Sequence, residues 1–465
     1  WGGRPGELRV ASRGGTESRE PGAVPRAPRG GAIPGAGRPG LVVLAALSGF
    51  TMLALEILFT RMYAQVLQNS VYTFSIILAV FLAGLAGGGG LARRLCRSAS
   101  PRTAVAWLLL ASGALVALVP WGFSLVAGGI NFRESELGFT AYLASVIAGA
   151  SLVLGPALVA AGAVFPLLLK LAEALDEGAG RTIGRLAAIN TVAGIAGSVA
   201  AGFVMLEWVG LWRSLLVLVL VYAIAGALVL PVRRPAVRAA ALAAVVIAGG
   251  LLAVPFSSLS AVRLDTGAGD ELVEVREGAL GTVAVVRRGD DLRMKINSTY
   301  DLGTTGSTPN QRLQTQLALA LHGDPRSVYF LGMGTGISAG AALDFPVEKV
   351  VVTELDRGVI ELSREHFGPW LNRLFEDERV RVLAEDGRSW LAATDERYDV
   401  VVGDIFLSFK AGVASLYTRE HFEQVRDSLE PGGLFVQWVT MFDMSPFEFE
   451  VITKTLTEVF PQGTL

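Results

Sequence analysis

From residue 41 to about 256 the chain alternates long apolar runs with short polar joints, and this pattern limits the possible folds more than any motif does. A helix needs about 20 predominantly apolar residues to cross the hydrocarbon core of a bilayer. Only helices or closed barrels satisfy their own backbone hydrogen bonds there. Runs at 41–60, 72–92, 104–128, 140–170, 186–207 and 214–231, with a shorter alanine-rich run at 239–256, predict a transmembrane helical bundle of six or seven spans over 41–256. Composition agrees: 52% of residues are hydrophobic and 18% are charged, against about 25% charged in an ordinary soluble domain.

Details within the runs carry further expectations. Pro156 and Pro166 predict a kink or an interfacial end in the fourth. Gly194, Ser198 and Gly202 fall at four-residue spacing in the fifth. Small residues on one face let helices approach closely in lipid, so this span is expected inside the bundle. Glu56 lies within the first span, where an acid is expensive and marks either function or a partner; an ion pair with Arg61 is the plainer reading.

Orientation follows from the distribution of basic residues. Arg93, Arg94, Arg97 and Arg102 follow the second run, Lys170, Arg181 and Arg185 the fourth, and Arg233, Arg234 and Arg238 the sixth. The positive-inside rule puts these joints, and the Arg-rich N-terminus, in the cytoplasm. Seven crossings would then leave the rest of the chain outside. The expectation taken here is that 239–256 lies in the interface or re-enters, which keeps the C-terminal domain of a multi-pass cell-membrane protein cytoplasmic.

Residues 1–40 are rich in Gly, Pro and Arg without apolar periodicity and read as a disordered tail. A Trp at position 1 and an end at PQGTL are expected of a segment cut from a longer reading frame. A net charge of −2 argues against nucleic acid as a partner, and Cys96, the single cysteine, excludes an intramolecular disulfide and a cysteine-based metal site. His322, His366 and His421 lack ligand spacing, so no metal is expected.

After residue 260 the texture changes. ELVEVREG, GTVAVVRRGDD and LRMKIN read as three strands of a small β subdomain at 265–310, closed by the polar loop STYDLGTTGSTPN. From 311 to 465 strands alternate with helices. Strands at 327–331, 349–353, 379–383, 398–403 and 433–438 predict an α/β Rossmann-like domain with a parallel sheet.

In such a sheet a ligand sits beyond the carboxyl ends of the strands. The first strand runs into GMGTG, where Gly332, Gly334 and Gly336 permit a tight turn and close backbone approach. The second ends in TELD, placing Glu354 about 20 residues after the glycines, where an acid can accept from ribose hydroxyls. Asp386 and Gly387 follow the third strand, and Asp404 ends the fourth. Plainer roles stand beside each: Glu354 as a helix cap, Asp386 as a turn residue, Asp404 as a loop cap.

Over roughly 270–460 these motifs resemble the spermidine synthases, or polyamine aminopropyltransferases, which share the nucleoside-binding fold of S-adenosylmethionine methyltransferases. The resemblance rests on EGALGTVAVV, LHGDPRSVYFLGMGTG, VEKVVVTELDRGVIELS, DERVRVLAEDGRSWL, YDVVVGD and LYTREHFEQVRDSLEPGGLFVQW, in that order. GAVFPLLLK and LAAINTVAGIAGSVAAGF look like the bundle of membrane-fused members.

The resemblance implies decarboxylated S-adenosylmethionine as co-substrate. The three glycines would lie along its sulfonium chain, Glu354 on the ribose, Asp386 and Gly387 at the adenine, and Gln311 nearby from the preceding helix. It implies Asp404 as the acid that helps deprotonate an attacking amine such as putrescine. The expected partners are this small-molecule amine, the lipid bilayer and a second copy of the chain. Two positions depart from the pattern: Leu407 stands where soluble members commonly have a second Asp, and Asn310 where they have Tyr, so the acceptor is open. The rival readings are a methyltransferase using S-adenosylmethionine and a transporter-like bundle with a nucleoside-sensing domain.

Overall fold

The computed structural model of the chain describes residues 38–67, 71–98, 100–127, 138–173, 179–230, 262–297, 300–404, 406, 410, 412–439 and 444–463. Most of the N-terminal tail, the 239–256 run and Leu407 lie outside the described residues.

Among the described residues, six helical stretches are long and apolar enough to cross a membrane: Pro39–Leu67, Tyr72–Arg97, Pro101–Val126, Thr140–Glu173, Gly180–Val209 and Leu211–Val229. They are built from α1 (Arg38–Leu67), α2 (Val71–Ser98), α3 (Pro101–Val126), α4 (Phe139–Gly162), α5 (Val164–Glu173), α6 (Ala179–Ala200) and α7 (Leu211–Val229). A π-helical segment, Ala201–Val209, extends α6. In the fourth span Pro156 stays within α4, and the break falls between Gly162 and Val164. Pro166 then occupies the first turn of α5, where its missing N–H is not needed.

The fifth span departs from expectation. It packs on α1 through one face and turns Val192, Ile195, Val199, Phe203 and Trp208 away from the other described helices, so among the described residues it lies at the edge of the bundle. The close face holds Gly194 and Gly197 rather than the four-residue row: a Cβ on Gly197 would lie 2.1 Å from the Phe50 carbonyl oxygen, whereas Gly202 has nothing within 4 Å. A helix of 3.6 residues per turn keeps a face with mixed steps of three and four, so a strict four-residue row drifts off it. Glu56 does not pair with Arg61 either, because the guanidinium turns to the β-sheet region described next.

Strands β1 (Asp270–Glu277), β2 (Thr282–Arg288), β3 (Asp291–Ile296) and β4 (Tyr300–Thr304) form an antiparallel meander in sequence order. β4 lies in the stretch expected as loop. Its residues lack apolar alternation, and pairing with β3, Thr304 opposite Arg293 and Tyr300 opposite Ile296, makes it a strand. Tertiary pairing overrides local propensity here.

After α8 (Thr308–His322) come β5 (Ser327–Leu331), the single turn α9 (Ile337–Gly340), β6 (Lys349–Thr353), α10 (Arg357–His366), β7 (Val380–Leu383), α11 (Gly387–Ala393), β8 (Tyr398–Gly403), α12 (Arg419–Asp427), β9 (Leu429–Gln437) and α13 (Pro446–Val459). The five strands are parallel in the order β7-β6-β5-β8-β9. Runs such as Val350–Val352 and Val400–Val402 are buried, as strands covered on both faces require. β5 pairs with both β6 and β8, so the strand order reverses at its carboxyl end and opens a crevice there.

Candidate active site

The crevice holds a cavity of about 530 Å³, within the few hundred to about 1,000 Å³ usual for small-molecule sites. Gly332, Gly334, Glu354, Asp386, Gly387, Asp404 and Gln311 all line it. Gly336 does not. It has φ +81° and a Cβ there would meet Leu371, Leu374 and Ser363 at 3.2–3.3 Å, so it faces the core behind the turn.

The glycine turn is held open by its backbone. Gly332 and Gly334 have φ of +89° and +54°, values that a residue with a Cβ adopts at a cost. Glu354, at the end of β6, reaches across to this turn. Its Oε2 accepts from Met333 N (3.1 Å) and Gly334 N (3.3 Å), and its Oε1 from Asp356 N (3.1 Å). Burial pushes the Glu354 carboxyl up, and these three N–H donors oppose that shift. A carboxylate offers about four acceptor sites, so Glu354 can still accept from a ligand. The helix cap is Asp356, whose Oδ1 accepts from Gly358 N (2.8 Å). Burial raises Asp356 too, against that hydrogen bond and the positive charge of Arg61 from the bundle.

Asp386 is both wall and cap. It is exposed to the crevice, and its Oδ1 accepts from Ser389 N (3.0 Å) as N-cap of α11. Beside it, a Cβ on Gly387 would lie 2.5 Å from Leu331 Cδ1 and 2.6 Å from Thr353 Oγ1, and the Gly387 carbonyl accepts from Tyr329 OH (2.9 Å). Only glycine lets α11 start this close to β5 and β6.

Asp404 follows β8 at the other side of the turn. Its Oδ2 lies 3.9 Å from where a Cβ on Gly334 would project, and its own Cβ 3.6 Å from the same point on Gly332. Gln437 at the end of β9 donates to the Asp404 carbonyl (3.0 Å). The Gln311 amide is held by protein: Nε2 donates to Thr304 O (2.8 Å) and Ser307 Oγ (2.9 Å), and Oε1 accepts from Thr335 Oγ1 (2.7 Å). Gln311 therefore braces β4 against the glycine turn.

Sequence reading passed over several wall residues, among them Phe406, Leu355, Gln314 and Arg388. Phe406 places its ring 3.3 Å from a Cβ on Gly332, closing the crevice next to Asp404. Its position two residues after a strand-end acid was the available signal. Elsewhere, Glu274, Glu365 and His366 bring three possible ligand atoms within 4.8 Å. Arg276 already bonds both glutamates there, which makes the group an ion-pair network.

The match to known proteins covers the same region. The model of the spermine/spermidine synthase domain matches residues 309–464. A polyamine aminopropyltransferase 2 from Pseudomonas aeruginosa is 36% identical over 153 residues, 32% of this chain and 44% of that protein. A polyamine aminopropyltransferase from Aeropyrum pernix is 35% identical over 147 residues, 31% and 46% of the two chains. One from Mycobacterium tuberculosis is 29% identical over 404 residues, 82% and 73% of the two, a span long enough to reach into the apolar helices. The chain thus spans less than half the length of the first two relatives. Residues 309–464 thus match the spermine/spermidine synthase domain, and the chain is similar to polyamine aminopropyltransferases.

Proposed function

We propose that the chain is a membrane-anchored aminopropyltransferase of the spermidine synthase type, moving an aminopropyl group from decarboxylated S-adenosylmethionine to a small amine. Its working parts are a bundle over 41–256, a β subdomain over 265–310 and a nucleoside-binding domain over 311–465. One observation carries the reading: Glu354, Asp386 and Asp404, from the ends of three different strands, line one cavity beside the Gly332–Gly334 turn. The relatives' names supply the reaction class.

The residues fit the donor. Gly332 and Gly334 bring bare backbone to the cavity wall, Glu354 keeps acceptor capacity for ribose hydroxyls, and Asp386 has a second oxygen for an adenine amino group. The donor supplies a carbon made electrophilic by an attached sulfonium. Transfer forms an N–C bond as the C–S bond breaks, its electron pair passing to sulfur to leave neutral methylthioadenosine. The nitrogen must arrive uncharged and lose a proton afterwards. In this reading Asp404 orients the amine and takes that proton, a role worth about 100- to 10,000-fold in rate. The sulfur leaves uncharged, so no acid is needed on its side.

In the purified full chain, Asp404→Asn should cut transfer by about 100-fold or more while methylthioadenosine binding is retained. Equal turnover in the variant would remove Asp404 from the mechanism. Supplying S-adenosylmethionine in parallel, with products identified by mass spectrometry, distinguishes a methyltransferase.

A further inference from the structure

The two ends of the helical bundle differ in charge, and the C-terminal region is attached to one of them. α1 and the fifth span run in the same direction, since Gly49 meets Asn190 while Leu53 meets Gly194. The last turns of α1 and the Gly210 joint therefore lie at one end. The other end gathers the Arg-rich joints: Arg93, Arg94 and Arg97 close α2, and Arg181 and Arg185 open α6. Arg102 at the start of α3 donates to the Val229 carbonyl at the end of α7 (3.3 Å), so both belong to this basic end. The sequence continues from there into Arg233 and Arg234.

The β1–β2 hairpin is seated on the first end. Arg61, 8% exposed, donates to Asn297 Oδ1 (3.1 Å), the carbonyls of Gly278 (3.3 Å) and Leu280 (3.4 Å), and Thr282 Oγ1 (3.4 Å). Glu277 accepts from Leu211 N (2.6 Å) at the start of α7. Gly210 has φ +84°, and a Cβ on it would lie 2.9 Å from Glu277 Oε1, so the joint admits the carboxylate only as glycine. Burying a guanidinium is costly unless its donors are satisfied. Here the hairpin supplies the acceptors, which makes this a built contact.

The positive-inside rule assigns short Lys/Arg-rich joints to the cytoplasm. We propose that the C-terminal domain sits on the membrane face opposite the cytoplasm, held there by the Arg61–Asn297 and Leu211–Glu277 contacts. This reverses the cytoplasmic placement expected from sequence, which depended on 239–256 not crossing. It also means that the crevice meets its substrates on the far side of the membrane. The proposal is independent of the transfer chemistry.

The chain's own Cys96 marks the basic end, and Asp324, with a side chain 76% exposed, marks the C-terminal domain. Spheroplasts expressing either the unmodified chain or the double variant C96S/D324C are treated with a membrane-impermeant maleimide, before and after detergent opens them. The expected pattern is labelling of D324C in closed spheroplasts and of Cys96 only after opening. Labelling of Cys96 alone in closed spheroplasts overturns the sidedness. Labelling of both, or of neither, before opening puts the two markers on one side and overturns the docking. As a second readout, alkaline phosphatase fused after Leu465 should be active, and an inactive fusion whose green fluorescent counterpart glows overturns the proposal.

Discussion

Between α1 and α6 the bundle brings two backbones into contact at glycines: a Cβ on Gly49 would lie 2.0 Å from the Asn190 carbonyl oxygen, and one on Gly197 2.1 Å from that of Phe50. In the crevice, Gly332 and Gly334 instead carry positive φ and border an open cavity. The first pair is there for proximity at ordinary helical geometry, the second for a backbone shape that leaves room for a ligand. Lipid gives apolar side chains no reason to prefer each other over the acyl chains, so close backbone packing is what holds such helices together. Damage to the bundle glycines should therefore appear as lost stability, and damage around the crevice glycines as lost binding.

The bundle side offers the largest test. Gly197→Leu pushes a side chain into a backbone carbonyl that cannot move aside, and should destabilise at the upper end of the ~1–3 kcal/mol that overpacking costs. Thermal unfolding in detergent would show it. An unchanged midpoint would mean that α1 and α6 do not touch there.

On the crevice side, Glu354→Gln sharpens the contrast because it leaves packing intact. Whichever way the amide turns, its NH2 meets an N–H it must face, of Met333 and Gly334 or of Asp356. A ribose hydroxyl donating to the charged carboxylate contributes about 1.5–3 kcal/mol, so losing that bond should lower methylthioadenosine affinity by about 10- to 100-fold. Unfolding should move less than in Gly197→Leu. Unchanged affinity would detach Glu354 from the ligand.

The two regions also differ in how much of them could be read from sequence. Strands β5, β6 and β8 were legible to the residue because buried parallel strands are continuous apolar runs, and the three carboxylates followed from the ends of β6, β7 and β8. The apolar lengths likewise announced the spans. What one sequence could not separate was the glycines by purpose: Gly336 stands in the same motif as Gly334 yet faces Leu371 and Leu374. Nor could it pair Gly197 with Phe50 or Arg61 with Asn297, partners far apart in the chain and marked by no periodicity. β4 was missed for the same reason, since its strand character comes from β3.

Gly334→Ala tests shape alone. With φ at +54°, the new methyl would sit 2.9 Å from the Leu302 carbonyl oxygen. A left-handed backbone costs a non-glycine residue roughly 1–2 kcal/mol, so both stability and nucleoside affinity should fall modestly. A variant that loses stability but binds normally would place this glycine with those of the bundle.

The smallest effect is expected at Asp386, where the two kinds of role coincide in one side chain. Its Oδ1 caps α11 through Ser389 N, and the residue also lines the cavity. Asn caps a helix about as well as Asp, whereas Ala in its place costs about 1 kcal/mol. Asp386→Asn should therefore leave the unfolding midpoint unchanged and weaken methylthioadenosine several-fold, the loss of roughly one net hydrogen bond of about 1 kcal/mol. Asp386→Ala should lose both. If the Asn variant binds as tightly as the parent, the carboxylate serves α11 only, and nucleoside recognition falls to Glu354 and the glycine turn.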